Sequence, residues 1–146
     1  MKALYAGSFD PFTIGHYDIT LRALRLFGKV IIGVGYNEKK TGEYPVGKRV
    51  EAIRRIFEGT EDVEVKAYSG LTVEFAKKEG VTVLIRGVRN SLDFEKEKEL
   101  ADINREIGEM ETVFLSAKPE LSFISSSMVR ELIHNGYDVA RYLPEE

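Results

Sequence analysis

The chain has 146 residues, of which 43% are hydrophobic and 31% are charged. At this length one domain over residues 1–146 buries roughly two-thirds of its unfolded surface. There is no cysteine, which excludes a disulfide framework, a thiolate metal site and a cysteine nucleophile. The net charge of −3 argues against sequence-independent nucleic-acid binding, because that needs a broad cationic surface. No apolar run approaches about 18 residues, so we expect neither a signal peptide nor a membrane span, and a cytoplasmic location.

Hydrophobic runs rich in β-branched residues alternate along the chain with helical patterns. The runs predict strands at residues 3–6, 30–34, 63–65, 81–85 and 112–115. Between them, helical spacing predicts a short third helix at residues 71–78 and three sheet-facing stripes on the other helices, formed by Tyr17, Leu21 and Leu24, by Val50, Ile53 and Phe57, and by Leu100, Ile103 and Ile107. Near-continuous apolar strands joined by helices imply a parallel five-stranded sheet covered on both faces, a doubly wound Rossmann-like α/β domain. Ligands of such folds bind beyond the carboxyl ends of the strands.

The loop after the first strand is the most informative segment. Gly7 lets the backbone turn off the strand and leaves room for a ligand, while Ser8 supplies a hydroxyl and a backbone N–H. Pro11 stiffens the turn, and His16 follows in the first helical turn, beside unpaired N–H groups. Together these residues predict a nucleotide-phosphate site. The alternative is a structural turn in which His16 only caps.

The segment after the second strand has two interpretations, and the segment after the third strand begins a helix. Residues 36–42 contain the pair Lys39 and Lys40, which belongs either to a phosphate site or to a solvated loop. Ser69 is placed to cap the third helix, which Gly80 closes.

After the fourth strand, Arg86 and Arg89 flank Gly87 and can point forked donors toward phosphates. Surface pairing with nearby acids is the alternative. In the charged helix beyond, Glu95 and Glu99 are expected to serve only solubility and i, i+4 pairing.

After the fifth strand, three consecutive serines precede an amphipathic helix. One serine at position 125 or 126 is expected to cap the helix, and the three together can form a second anion site. His134 stands at the far end, where a cation suits the dipole, and is expected to cap it. The helix is expected to direct three side chains into the core: Met128, Leu132 and Ile133.

Three segments carry a family resemblance. The loop after the first strand resembles the first signature of the nucleotidyltransferase superfamily. The resemblance is carried by Gly7-Ser8-Phe9-Asp10-Pro11 with Thr13-Ile14-Gly15-His16, where this chain has Thr-x-Gly-His in place of the usual His-x-Gly-His. The second signature resembles Ile124-Ser125-Ser126-Ser127-Met128-Val129-Arg130. A third segment resembles the phosphopantetheine adenylyltransferase family in particular. It is Arg86-Gly87-Val88-Arg89 with Asp93-Phe94-Glu95, and Thr13 in place of the usual first histidine resembles the same family. The resemblance spans nearly the whole chain.

This resemblance implies an activity and a set of site residues. The family makes dephospho-coenzyme A and pyrophosphate from ATP and 4′-phosphopantetheine with Mg²⁺, and typically assembles as a hexamer. By motif, the ATP phosphates would meet Ser8, Phe9 and His16, and the phosphopantetheine side would meet Ser8, Lys40, Thr72 and Arg86. The resemblance assigns catalysis to His16, Lys40 and Arg89. The nucleotide would be held by Gly87, Val88, Arg89, Glu97, Leu121, Ser122, Phe123, Ile124, Ser125, Ser126 and Ser127. Leu121 stands where some members carry an aromatic residue, and the chain ends earlier than is usual.

The residue types agree with this chemistry. A substrate phosphate is already an anion, so its attack on the α-phosphorus of ATP needs alignment and charge-stabilising donors rather than a protein nucleophile. We expect Mg²⁺ to be held by phosphate oxygens and water, with no protein ligand. Two alternatives stay open: a related nucleotidyltransferase with another phosphorylated acceptor, and a non-catalytic nucleotide-binding module on the same fold.

Overall fold

The hydrophobic runs pair into one parallel sheet. A computed structural model describes residues 1–40 and 42–145, and its strands are β1 (Lys2–Gly7), β2 (Lys29–Gly35), β3 (Val63–Tyr68), β4 (Val83–Val88) and β5 (Glu111–Ser116). Across the described residues they form a five-stranded sheet in the order β3-β2-β1-β4-β5, in which every pair is parallel. The predicted fold class is therefore confirmed, while the domain range 1–146 stays a prediction.

Helices cover both faces of this sheet. They are α1 (Ile14–Phe27), α2 (Val46–Ile56), α3 (Thr72–Lys78), α4 (Ser91–Gly108) and α5 (Ser126–His134), with short 3₁₀ turns at Pro119–Leu121 and Ala140–Tyr142. Because side chains alternate along a strand, Tyr5 packs into the core beneath α1 and α2. Its neighbour Leu4 packs into the second core, with Val73 of α3. A third apolar cluster joins α5 to the C-terminal segment around Tyr142.

The strand order places a topological switch between β1 and β4. From β1 the chain proceeds outward through β2 and β3, then returns to the other side of β1 to form β4 and β5. Pairing of β1 with β4 ends at Tyr5 and Ile85, although the strands continue to Gly7 and Val88. The two strands therefore open a crevice at their carboxyl ends, which is where ligands bind in doubly wound sheets.

Two predicted helical stripes were wrong in part or in full. In α1, Leu21 is 36% exposed whereas Ile19 is 4% exposed, because Leu21 lies about 200° around the helix from Ile19. Tyr17 and Leu24 do pack on the core, as predicted. The stripe Val50, Ile53 and Phe57 on α2 is confirmed as buried.

In α4 the predicted stripe is on the wrong side of the helix. Leu100, Ile103 and Ile107 are about half exposed, at 49%, 52% and 49%. The buried residues are small, Ala101 and Gly108. A Cβ added at Gly108 would lie 2.6 Å from Cβ of Val73, so close contact with α3 requires the small side of the helix to face inward.

Three local predictions also need correction. The fourth strand extends to Val88, so Arg86 and Gly87 belong to the strand rather than follow it. The N-cap of α3 is Leu71, not Ser69, because the helix begins at Thr72. His134 ends α5, but its Nε2 contacts the Glu43 carboxylate at 2.9 and 3.0 Å instead of a helix carbonyl.

Two other expectations for α5, its cap and its core residues, are confirmed, while the anion site of the three serines stays a prediction. Ser125 is its N-cap, with the side-chain oxygen accepting from the Met128 N–H at 3.1 Å. Met128, Leu132 and Ile133 pack against the third apolar cluster. Within residues 1–40 and 42–145, none of the helices combines the length and apolar character needed to span a bilayer.

Candidate active site

A cavity of about 310 Å³ opens at the switch point. Its walls come from the ends of β1 and β4 and from the first turns of α1 and α5. Two helix N-termini therefore face one space, and such ends favour anions because their first N–H groups lack helical partners. Three arginines, Arg86, Arg89 and Arg130, also line it, against the two carboxylates of Asp93 and Glu97. The space suits a phosphate-bearing ligand.

The loop after β1 turns at Phe9, which differs from the sequence prediction. Phe9 has a φ of 48°, in the left-handed region that non-glycine residues seldom adopt, while Gly7 is still in the strand. The space beside Gly7 is filled by the Phe9 ring, whose nearest atom would lie 3.1 Å from an added Cβ. Gly7 thus accommodates a side chain of its own loop, and the buried Phe9 ring packs edge-to-face on His16 with centroids 5.0 Å apart.

The imidazole of His16 is fixed by a capping box. The backbone N–H of Thr13 donates to Nδ1 at 2.9 Å, and the Thr13 hydroxyl accepts from the His16 N–H at 3.3 Å. A backbone N–H can only donate, so Nδ1 carries no proton and the neutral ring has its proton on Nε2. The sequence left capping and phosphate binding as alternatives, but one ring has an atom for each: Nδ1 caps and Nε2 is a donor.

The charge state of His16 agrees with this tautomer. Burial, followed by the positive charges of Arg86 and Arg89, lowers the pKa of His16 to about 3. The ring is therefore neutral at physiological pH. Its Nε2–H can donate a hydrogen bond to a phosphate oxygen while the ring takes up no proton.

Arg86 and Glu97 form a bidentate pair on the cavity wall. Nε of Arg86 donates to Oε2 of Glu97 at 2.6 Å and Nη2 donates to Oε1 at 2.7 Å. Nη1 donates to the Ala6 carbonyl, which lies beyond the last β1–β4 pair. Burial lowers the pKa of Arg86, but the Glu97 hydrogen bonds and charge outweigh it and the pKa is raised. Arg86 therefore remains a cation and bridges the gap between the two strands.

Arg89 pairs with the start of α4. Its Nε lies 3.0 Å from an Asp93 oxygen, and its backbone N–H donates to the same carboxylate at 3.2 Å. Both sequence-predicted arginines thus line the cavity and also pair with acids. Pairing with nearby acids and a position facing a ligand, given as alternatives from the sequence, therefore occur at the same residues. Among the residues that the structure describes, the Arg89 side chain pairs with Asp93 alone, whereas Arg86 is also held by the Ala6 carbonyl, so Arg89 can turn toward a ligand more easily.

Helix α5 is tied to the loop after β1. Ser126 Oγ donates to the Pro11 carbonyl at 2.7 Å, and Arg130 Nη1 donates to the Asp10 carbonyl at 2.7 Å. The two anion-favouring helix ends are therefore held in a fixed relation.

A second cavity, of about 240 Å³, lies on the other side of the Arg86–Glu97 pair. It shares Ala6, Arg86 and Glu97 with the first cavity. The rest of its wall comes from α3, α4 and the sheet and is mostly apolar, and includes Leu71, Thr72, Leu84, Leu100, Ile103, Asn104, Ile107 and Thr112. Leu100, Ile103 and Ile107 of α4 thus form one side of a groove.

Comparison with known proteins assigns the chain to a family. A family model described as cytidylyltransferase-like matches residues 4–132. A phosphopantetheine adenylyltransferase of Porphyromonas gingivalis is 50% identical over 98% of this chain and 94% of its own. That of Phocaeicola vulgatus is 46% identical over 99% of this chain and 95% of its own. The chain belongs to the phosphopantetheine adenylyltransferase family.

The fold is shared with more distant enzymes. A bifunctional NMN adenylyltransferase/ADP ribose pyrophosphatase from Francisella tularensis superposes with a TM-score of 0.73 at 16% identity, over 97% of this chain and 44% of that one. At that identity the likeness concerns the fold alone.

The structure brings most of the family-implied residues to the first cavity. Those that line it are Ser8, Phe9, His16, Arg86, Gly87, Val88, Arg89, Glu97, Leu121, Ile124, Ser125, Ser126 and Ser127. Leu121 is aliphatic and half-buried there. Their roles in the family reaction stay predictions.

Four family-implied residues lie outside that cavity. Thr72 lines the second cavity, and its hydroxyl is 2.9 Å from the Tyr68 hydroxyl. Lys40 is exposed in the loop between β2 and α2. Ser122 donates to the Pro119 carbonyl at 3.0 Å, and Phe123 is 59% exposed.

Several residues on the wall were not predicted as site residues, among them Tyr5, Asp93 and Arg130. Tyr5 ends the β1–β4 pairing, and its pKa is raised, chiefly by burial, so its hydroxyl stays neutral. Asp93 lies in the first turn of α4, and its backbone N–H donates to Oδ1 of the N-cap residue Asn90 at 2.9 Å. An Asn-x-x-Asp pattern at a helix start was the available signal. Arg130 stands four residues after Ser126, hence on the same side of α5.

The carboxylates of the first cavity are engaged with arginines and are not grouped for a metal ion. Within residues 1–40 and 42–145, no group of three or more His, Asp or Glu side chains is arranged to hold an ion. The cavity carboxylates of Asp93 and Glu97 are each paired with an arginine. Phosphate oxygens and water are the ligands that Mg²⁺ commonly uses in nucleotide sites.

Proposed function

We propose that this enzyme transfers the adenylyl group of ATP to 4′-phosphopantetheine, giving dephospho-coenzyme A and pyrophosphate. The named activity of relatives that match almost end to end supports the substrates. The observation that carries the proposal is the pair of cavities meeting at Arg86 and Glu97.

Each cavity suits one substrate. The first has two helix N-termini, arginines and a neutral histidine donor, which favour the triphosphate of ATP. The second, of about 240 Å³, is largely apolar with a few polar groups, and suits the pantetheine arm. Arg86 lines both cavities, which supports a role for it where the acceptor phosphate and the α-phosphate approach each other.

The reaction is a direct in-line displacement. An oxygen of the acceptor phosphate attacks the α-phosphorus and forms the new P–O bond. The bond from the α-phosphorus to the bridging oxygen breaks, and pyrophosphate leaves with that electron pair. No proton has to be removed from the acceptor, because its phosphate is ionised at neutral pH, so positioning and charge stabilisation account for the catalysis.

Three residues stabilise the negative charge that shifts among the phosphate oxygens during the transfer. His16 offers Nε2–H to an oxygen of the reacting phosphate and keeps its proton. Arg89 turns from Asp93 toward the triphosphate, and Lys40 contacts the acceptor phosphate or the departing pyrophosphate. Cations and fixed donors of this kind gain strength as the transition state develops.

Mg²⁺ is proposed as the metal of the reaction, bound through the phosphates of ATP and water. It supplies neutralisation of phosphate charge. The chain's own contribution would be the donors that face the phosphates: Ser8, His16, Arg89 and the N–H groups that begin α1 and α5.

We also propose that copies of the chain assemble, as a hexamer, and work in the cytoplasm, where ATP is available. Assembly is supported by the exposed apolar residues of α4. Leu92 is 71% exposed and Phe94 41% exposed, and neither lines the second cavity.

The test is pyrophosphate release with ATP across phosphorylated acceptors: 4′-phosphopantetheine, nicotinamide mononucleotide and glycerol phosphate. We expect turnover with the first alone, and CTP to be a poor donor. Equal turnover of CTP with glycerol phosphate would contradict the assignment, and ATP binding without turnover of any acceptor would favour a non-catalytic module.

A further inference from the structure

The loop between β2 and α2 is fastened to the loop after β1 by two buried charged residues. Asp10 and Arg49 are each 7% exposed. Asp10 accepts from the Glu43 N–H at 2.8 Å and from the Tyr44 N–H at 3.0 Å, one on each carboxylate oxygen. The end of the loop is thereby held against the residue that follows Phe9.

Arg49 completes the connection from the first turn of α2. Its Nε donates to the Tyr44 carbonyl at 2.9 Å. Its Nη1 donates to the Ser8 carbonyl at 2.6 Å and to the Gly35 carbonyl at 3.2 Å. One guanidinium thus joins the end of β2, the end of the loop and the cavity residue Ser8.

Gly42 shows how closely the two loops approach. Its φ is +70°, and an added Cβ would lie 2.7 Å from Oδ2 of Asp10. That is closer than a carbon and a carboxylate oxygen can stand, so the carboxylate would have to leave its place. The loop sequence is fitted to Asp10 and not only to a turn.

Lys40 lies between the two fixed ends of this loop. Its N–H donates to the Asn37 carbonyl at 3.0 Å, so it sits in a tight turn within the loop. Burying a carboxylate and a guanidinium is costly unless every hydrogen bond is made, and apolar residues could close the loops with less loss of solvation. What the charged pair supplies instead is a defined position of the loop relative to Ser8 and Phe9.

We propose that Asp10 and Arg49 are positioning residues of the transfer reaction, which set the place of Lys40 relative to the phosphate cavity. The proposal rests on the proposed function, since it takes Lys40 as the residue that acts on the substrate. Neither residue lines the first or the second cavity. Their effect on turnover passes through the loop, and a displacement of about 1 Å in a reacting geometry can cost on the order of 10² in rate.

The test is a double-mutant cycle on pyrophosphate release with Asp10→Asn and Lys40→Ala. We expect Asp10→Asn to lower kcat by roughly 10- to 100-fold in the wild-type background, and by less than about twofold when Lys40 is already alanine, since coupled residues are non-additive. The same loss in both backgrounds would overturn the proposal, because Asp10 would then act independently of Lys40.

Gly42→Ala repeats the test from the other loop. Its matched control is Gly59→Ala, where φ is +85° but no atom lies within 4 Å of the added Cβ, so both variants carry backbone strain and only one displaces the carboxylate. We expect Gly42→Ala to lower kcat and to speed amide exchange at Glu43 and Tyr44, with neither change in Gly59→Ala. Equal kinetics of the two variants would also overturn the proposal.

Failure of the proposed function gives a different result. A wild-type enzyme that releases no pyrophosphate with any acceptor would contradict that function before a variant is compared. The same cycle is then measured on pyrophosphate binding by calorimetry, where coupling of Asp10 with Lys40 supports the positioning role and additivity removes it.

Discussion

The guanidinium of Arg86 and the carboxylate of Glu97 are joined by two parallel hydrogen bonds of 2.6 and 2.7 Å across the wall between the cavities. Arg86 comes from β4 and Glu97 from α4, so the pair also fixes the helix on the sheet. Because Nη1 is engaged by the Ala6 carbonyl, three N–H groups of Arg86 are held within the protein. The remaining N–H groups of this fork are therefore pre-oriented toward whatever enters the crevice.

Glu97→Gln should weaken both stability and catalysis. An amide can accept only one of the two hydrogen bonds, so we expect the free energy of unfolding to fall by about 1–3 kcal/mol. Displacement of Arg86 should lower kcat/KM for 4′-phosphopantetheine by about 10-fold or more. Urea unfolding and steady-state kinetics measure the two effects. Glu95→Gln, an exposed residue on the same helix, is the control and should leave both unchanged.

Strand positions and helix existence could be predicted from the sequence because they depend on local hydrophobic pattern. The side of α4 that faces inward could not, because it depends on the fit of Gly108 to Val73, a contact between distant segments. At the site, motifs indicated His16, Arg86 and Arg89, and left pairing of the arginines with nearby acids open, but did not indicate which acid pairs with which arginine. Glu97 meets Arg86 only because a helix crosses the strand end, which is tertiary information.

Lys40→Ala should reduce turnover without affecting the fold. The side chain is exposed, so its loss should change the free energy of unfolding by no more than about 0.5 kcal/mol. Loss of the cation that we propose to act on the reacting phosphates should lower kcat on the order of 10². Lys39→Ala, the adjacent exposed lysine, is the matched control. A collapsed melting temperature with unchanged activity per folded molecule would show that the loop lysine is structural.

Thr112→Val addresses the second cavity. The Thr112 hydroxyl is buried and has no hydrogen-bond partner among the described residues, and it lines this cavity. Valine has the same shape, so relief of the unpaired hydroxyl should raise the free energy of unfolding by about 1 kcal/mol. If the hydroxyl serves the pantetheine arm, KM for 4′-phosphopantetheine rises while KM for ATP is unchanged. Equal shifts of both constants would place the arm elsewhere.

Assembly can be measured directly by light scattering. We expect the mass of several copies at micromolar concentration, because Leu92 and Phe94 leave apolar surface on α4 uncovered in a single chain. Leu92→Glu should shift the mass toward one copy, since a charge cannot be buried there without a partner. A monomeric wild type would remove the hexamer proposal.

His16 also makes stability depend on pH in a defined direction. Its pKa is about 3 in the folded chain, against an ordinary value of 6.5. Below pH 6.5 the unfolded chain takes up a proton that the folded chain does not, so stability is lost as pH falls from 6.5 toward 3. Relative to His16→Asn, the wild type should lose up to about 1.4 kcal/mol per pH unit in that window. Urea unfolding of both proteins at several pH values measures this, and parallel curves would contradict the lowered pKa.

In catalysis, His16 should stabilise the transition state without transferring a proton or forming a bond. Nδ1 is held by the Thr13 N–H, so Nε2–H is the atom left for a phosphate oxygen. Loss of one such donor costs on the order of 10² to 10³ in kcat, so His16→Ala should lower kcat far more than it raises KM for ATP. The capping role is lost as well, so thermal melts accompany the kinetics.

The conservative variants separate the two functions of the ring. His16→Asn and His16→Gln keep a side-chain donor and should recover part of the lost kcat. The ring is already neutral near pH 7, so it should not titrate between pH 5 and 8. The pH profiles of kcat for the wild type and for His16→Gln should therefore have the same shape in this range. A normal kcat with a large rise in KM would make His16 a ground-state binding residue. An adenylyl-histidine trapped with ATP labelled at the α-phosphate would replace direct transfer by a covalent mechanism. A ring whose Nδ1 is held by the Thr13 N–H and whose Nε2 is protonated is poorly prepared for that attack.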